Sequence, residues 1–218
     1  MPKTFDLIVF DWDGTLMDSA AAIASAIRAA ARDLGLEPPS DAQARHVIGL
    51  GLQDALAQAL PQLEPHRYAE ISERYRYHYL SQDRDLSLFT GIAELLAELS
   101  GAGHMLAVAT GKSRLGLNRA LEASGVGGFF QGTRCADECF SKPHPQMLEE
   151  LMAEFGTRSE ATLMIGDTTH DLQMARNAGV AALAVSYGAH PRRTLEAESP
   201  LLCADTVVDL AAWLRTNG

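Results

Sequence analysis

Leu7-Ile8-Val9-Phe10-Asp11-Trp12-Asp13-Gly14-Thr15-Leu16 decides how the rest of the chain is read. Four consecutive apolar residues suit a strand buried on both faces, not one with a wet side. The run stops at two carboxylates, one residue apart, followed by glycine. Outward from it, similar short apolar runs occur at Met105–Ala109, Thr162–Ile165 and Ala181–Val185. Gly132–Ala136 is a weaker strand candidate, and Thr206-Val207-Val208 reads as a short final strand. Helical patterns fill the intervals at Ile92–Leu99, Arg114–Ala123, Pro145–Phe155 and Leu172–Ala178. Gly101, Gly103, Gly125, Gly156 and Gly179 follow their ends, where C-terminal caps are expected. Strands alternating with helices predict a three-layer α/β core, a Rossmann-like parallel sheet with helices on both faces.

One interval breaks the alternation. From Met17 to Asp85 the periodicity is helical throughout: Ala20–Leu34, a second helix opened by Pro38-Pro39-Ser40-Asp41, then Gln53–Leu60 and Pro65–Leu80. Helices flanking the sheet would also give this pattern, but the stretch is too long for one crossover. The expected organisation is a catalytic core of residues 1–16 and 87–218 and a small all-helical cap domain, 17–86, inserted after the first strand.

The 218 residues carry 28 Asp and Glu against 18 Lys and Arg, a formal charge of -10, which disfavours nucleic acid and anionic membrane as partners. No apolar run is long enough to span a bilayer, and Met1-Pro2-Lys3-Thr4-Phe5-Asp6 does not read as a signal peptide, so a cytoplasmic protein is expected. Cys135, Cys139 and Cys203 are an odd set, which argues for reduced thiols over a disulfide framework. Monomer and homodimer both remain open.

In parallel α/β sheets, ligands bind beyond the carboxyl ends of the strands. Those ends read Asp11-Trp12-Asp13, Thr110-Gly111-Lys112-Ser113 and Gly166-Asp167-Thr168-Thr169-His170-Asp171; between the last two, Ser141-Lys142-Pro143-His144-Pro145 opens a helix. Each alone is commonplace: an aspartate at a strand end is often only a helix cap. Together they put four carboxylates, a hydroxyl and an ammonium on one rim. Clustered carboxylates repel, and a hard divalent cation resolves the conflict. Mg²⁺ is expected, with Asp11 and Asp167 as carboxylate ligands and the Asp13 backbone carbonyl as a third. Asp171 either binds it directly or positions a water.

These four motifs, in this order along nearly the whole chain, resemble the haloacid dehalogenase superfamily, and the helical insert resembles its phosphoglycolate phosphatase-like members. The resemblance implies a phosphatase acting on a small phosphorylated metabolite such as phosphoglycolate. It implies that Asp11 attacks phosphorus and Asp13 serves as general acid and base. Thr110 and the Gly111 amide would hold the phosphoryl group, and Lys142 would neutralise it. It makes Arg45, and less so His46, candidates to touch the non-phosphate end of the substrate. Lys112 reads equally as an aid to phosphate binding and as an exposed lysine at a helix start. A sugar phosphomutase of the β-phosphoglucomutase type shares the aspartyl phosphate and stays open. A non-enzymatic phosphorelay-type protein is a lesser alternative. A phosphonate hydrolase would need a lysine in the insert; the lysines are Lys3, Lys112 and Lys142, none of them there.

Overall fold

The computed structural model describes residues 4–218; Met1, Pro2 and Lys3, where the reading of the N-terminus begins, lie outside the described residues. In chain order the elements are β1 (Leu7–Phe10), α1 (Ala20–Asp33), α2 (Asp41–His46), α3 (Leu52–Ala59), α4 (Tyr68–Gln82), α5 (Ile92–Gly101) and β2 (Met105–Thr110). There follow α6 (Arg114–Ser124), β3 (Gly132–Cys135), α7 (Gln146–Phe155), β4 (Thr162–Gly166) and α8 (Thr169–Asn177). The chain ends with β5 (Ala181–Val185), α9 (Arg192–Glu196), β6 (Leu202–Ala204) and α10 (Val207–Asn217).

Among the described residues six strands run parallel in the order β3-β2-β1-β4-β5-β6. β1 lies at the centre, and strand order reverses there. Its four side chains are fully buried, each worth about 1.5–3 kcal/mol relative to exposure. They alternate between the faces, as a pleated strand requires. Ile8 and Phe10 join Leu95, Leu96 and Leu99 of α5 and Leu210 and Leu214 of α10. Leu7 and Val9 join Met147, Leu148 and Leu151 of α7 and Met174 of α8. Those two layers enclose the sheet as the alternating pattern predicts.

Helices α1 to α4 build a separate apolar cluster from Ile23, Ile27, Leu56, Leu60, Ile71 and Tyr79. The alanine-rich α1 packs most closely against α4 and α2, its small side chains admitting close approach. α2 starts with a reciprocal capping box, Ser40 with Gln43.

Two expectations need correction. Thr206-Val207-Val208 is not a strand: Thr206 caps α10, its hydroxyl accepting from the Asp209 amide, and the last strand is Leu202–Ala204. The β-branched valine pair imitates a strand. Yet Val207, Leu210, Ala211 and Leu214 follow helical spacing, and that wins once they face the sheet. Gly101 is no cap either; it is the last residue of α5, and the turn glycine is Gly103 (φ +85°).

Candidate active site

The parallel register sets the site. Phe10 is level with Val108 of β2 and Ile165 of β4, and the Asp11 amide donates to the Ile165 carbonyl at 2.9 Å. Asp11 and Asp167 therefore leave adjacent strands side by side. Thr110 ends β2 and Lys142 follows β3. Asp171 arrives through the N-terminus of α8: Thr168 caps that helix, its hydroxyl and amide donating to Asp171 Oδ2 at 2.7 and 3.1 Å. The helix opens at Thr169, earlier than its apolar pattern begins, so Asp167 precedes it and the two carboxylates are not helical neighbours.

Asp11, Asp167 and Asp171 offer oxygens all within 4.8 Å of one another, and all three residues are fully buried. Lys142 Nζ donates to Asp11 Oδ1 and Asp171 Oδ1, each at 2.6 Å. Asp167 accepts from Thr15 Oγ1 at 3.0 Å and from the Ala189 amide at 2.6 Å. Gly14 (φ +83°) lies directly against Asp167, and any Cβ there would strike its carboxylate. Asp13 Oδ1 accepts from Ser19 Oγ at 2.6 Å and pairs with Lys112 Nζ at 3.0 Å. Thr110 is fully buried, with its hydroxyl accepting from the Lys112 amide at 3.2 Å.

Burial dominates the electrostatics. Loss of water pushes the Asp11 carboxyl up to about 7, against the opposing pull of Lys142, and Asp171 adds repulsion. Asp167 is pushed well above the usual carboxylate range by burial and then by Asp11 and Asp171. Lys142 loses water too, but Asp11 and Asp171 outweigh that and hold it charged.

The residues fit a divalent cation. Asp11 Oδ2 is buried and has no hydrogen-bond partner among the described residues. An orphaned carboxyl oxygen at this depth is costly, the more so when charged, unless something positive meets it. Were all four carboxylates ionised, the ammoniums of Lys112 and Lys142 would leave two negative charges, and one divalent ion cancels them.

The helical insert covers this rim. The chain from His46 to Gly51 lies across it: the Gly51 amide donates to Ser141 Oγ at 2.9 Å, and the Gly49 and Leu50 carbonyls press on Gly111 so closely that a Cβ there has no room. The His46 carbonyl accepts from His170 Nε2 at 2.7 Å and His190 Nε2 at 3.0 Å. A carbonyl can only accept, so both rings carry hydrogen on Nε2. The three imidazoles pack at centroid separations of 5.1–5.5 Å. Burial lowers the pKa of His170 and takes His190 down to about 4, keeping those two rings neutral.

The candidates divide accordingly. Asp11, Asp13, Thr110, Gly111, Lys142, Asp167 and Asp171 meet at one edge. Arg45 does not join them: its Nε donates to Asp41 Oδ2 at 2.8 Å within its own helix, and among the described residues that is its one ion pair. His46 reaches the rim through its carbonyl. Lys112 is not an exposed helix-start lysine: its side chain is 11% exposed, and Nζ donates to Tyr79 of α4 at 2.9 Å besides pairing with Asp13. Sequence reasoning missed Ser19, Tyr79 and His190: Ser19 stands just past the first motif, while Tyr79 and His190 lie far from every motif and carry no signal of their own. The three cysteines are free thiols.

A parallel α/β sheet with clustered aspartates at its switch point and helices inserted after the first strand accords with one class of hydrolase. The chain belongs to the haloacid dehalogenase-like hydrolases, whose family model matches residues 8–185. Within that family it groups with the phosphatases. It is 41% identical over 208 residues to the "Probable phosphatase IndB" of Dickeya dadantii strain 3937, covering 92% of this chain and 89% of the relative. It is 32% identical over 214 residues to a phosphoglycolate phosphatase of Vibrio cholerae, covering 94% and 95%. A crystal structure of a predicted phosphoglycolate phosphatase from Haemophilus somnus 129PT superposes with a TM-score of 0.84 at 26% identity, over 97% of this chain and 99% of that one.

Proposed function

We propose that the protein hydrolyses a small phosphate monoester through a phosphoryl group carried on Asp11. The supporting observation is the Asp11 carboxylate itself: fully buried at the switch point, held through Oδ1 by Lys142, and without a partner at Oδ2. The family relationship and the names of the relatives support the reaction class. Phosphoglycolate is the substrate they favour.

In this reading an Asp11 oxygen attacks phosphorus, the phosphorus–oxygen ester bond breaks, and Asp13 gives a proton to the departing alcohol oxygen. Water then attacks the aspartyl phosphate, Asp13 takes the proton, and inorganic phosphate leaves with Asp11 restored. Ser19 holds the Asp13 carboxylate in place for both transfers. Thr110 and the Gly111 amide receive the phosphoryl oxygens, and Lys142 faces their charge. Mg²⁺ would be held by Asp11, Asp167 and the Asp13 carbonyl, with Asp171 beside them. It would supply positive charge that offsets the carboxylates and the phosphate dianion.

Residues 17–86 act in this account as a cap. The carboxylates are sealed beneath it, so substrate enters when the His46–Gly51 chain lifts, and closure excludes bulk water. Asp11→Asn in the presence of Mg²⁺ tests the chemistry. Release of inorganic phosphate from a panel of small phosphate esters falls at least about a thousandfold relative to the parent protein. Steady turnover by that variant refutes the nucleophile, and isomer formation without phosphate release would make the parent protein a mutase.

A further inference from the structure

Positive charge is scarce in this chain, and two of its three lysines are in the site. Lys142 is committed to Asp11 and Asp171. Lys112 stands on the other side, against Asp13, where the phosphatase reading places the leaving group. An ammonium has three N–H donors. One faces Asp13 Oδ1 at 3.0 Å and one meets Tyr79 Oη at 2.9 Å. No third acceptor pairs with it among the described residues. Asp13 is already oriented by Ser19 at 2.6 Å, so Lys112 is not needed for that.

The placement of Lys112 is built, not incidental. Its ammonium lies 4.7 Å from the centroid of the Tyr79 ring, and Tyr79 stacks on Tyr75 at 5.9 Å. Both tyrosines belong to α4 of the insert, so Lys112 from the core is gripped by the part of the chain that covers the site. Arg45, the other cation the sequence offered, is paired with Asp41.

We propose that Lys112, set in place by Tyr79, selects the substrate by binding an anionic group, a carboxylate, on the leaving alcohol. This rests on the phosphatase reading and adds a residue that recognises the substrate. A carboxylate one carbon removed from the ester oxygen can reach Lys112 while that oxygen lies at Asp13. The alternative is that Lys112 contacts only the transferring phosphoryl group, which every substrate shares.

The test compares 2-phosphoglycolate with ethyl phosphate, which replaces the carboxylate by methyl at nearly constant length. Phosphate release is measured for the parent protein, Lys112→Met, Lys112→Arg and Tyr79→Phe, with Mg²⁺ saturating. The parent protein should favour 2-phosphoglycolate in kcat/KM by about a hundredfold, the scale of a charge pair broken on one side. Lys112→Met should collapse that ratio to within a few-fold of unity, whatever happens to absolute rates. Tyr79→Phe should lower it in part, and Lys112→Arg should retain most of it. Equal kcat/KM of the parent protein for both esters overturns the proposal without any variant. So does a Lys112→Met protein that slows equally on both while keeping the ratio. Hydrolysis of neither ester by a parent protein that releases phosphate from other small esters overturns this proposal and leaves the phosphatase reading standing, whereas release from no ester of a broad panel removes both.

Discussion

Thr15 Oγ1 donates to Asp167 Oδ1 across 3.0 Å, tying the loop after β1 to the loop after β4 beneath the acidic cluster. In the proposed role of metal ligand, a carboxylate held this way presents its oxygen at a fixed angle, and losing such a support typically costs ten- to a hundredfold in metal affinity. Thr15→Val keeps the shape and removes the donor. The Mg²⁺ concentration for half-maximal activity should rise at least about tenfold, with kcat at saturating Mg²⁺ changing only a few-fold. EDTA should silence both proteins, and Mg²⁺ should restore both. An unchanged Mg²⁺ titration would show that Asp167 needs no such support.

Asp11→Asn should stabilise the metal-free protein while ending turnover. The native carboxyl is buried among like charges and pushed up to about 7, so keeping it there works against folding. An amide of the same size escapes that repulsion, and Lys142 keeps Asp171. A gain of about 1–2 kcal/mol corresponds to a Tm higher by several degrees for a chain of this size. Calorimetry in EDTA measures it; a fall in Tm would mean that the Lys142 pairing outweighs the desolvation.

His190 makes stability pH-dependent with a defined sign. Its folded pKa of about 4 lies below the ordinary 6.5, so between those values the unfolded chain binds more protons. Stability from this group is therefore intact above pH 6.5 and is lost as pH falls, by about 2 kcal/mol on going from pH 7.5 to 5. Asp11, raised to about 7 in the fold, titrates with the opposite sign in the same region, and burial raises Asp167 in the same sense as Asp11. The difference between parent and His190→Gln isolates the histidine. Urea unfolding should show the parent losing about 2 kcal/mol more than the variant over that interval. Parallel pH dependences would contradict a neutral, buried His190.

Gly111→Ala should act on the His46–Gly51 chain and not on the sheet. An added Cβ would meet the Gly49 and Leu50 carbonyls, rigid backbone atoms that cannot turn aside. The His46–Gly51 chain would have to lift. The expected result is a loss of about a hundredfold in kcat/KM, as for a small misplacement of the reacting groups, with a Tm within a few degrees of the parent. A large drop in Tm with activity retained would place the strain in the sheet instead.

The central strand and the four motifs were legible because their information is local. Leu7–Phe10 has no polar face, and each motif is a contiguous string at a strand end. Parallel pairing then brings the strings together without further instruction. Thr206 to Val208 misled because β-branching and helix capping compete within three residues, and the winner depends on apolar contacts further along α10. Lys112 and Tyr79 were opaque for another reason. Whether a lysine at a helix start is solvated or sealed depends on how a separate group of helices sits over it, and no pattern around residue 112 records that. Arg45 shows the converse: its motif context suggested a substrate contact, while Asp41, one turn earlier, already supplied a partner.

The grip of His170 and His190 falls on the main-chain oxygen of His46, an atom that every amino acid possesses. Those two hydrogen bonds outlast any change of side chain at residue 46, whereas the ring stacking on His170 and His190 goes with the imidazole. The segment from His46 is thus fastened to α8 and to the loop after β5 twice over, once by a contact blind to sequence and once by a contact that reads it.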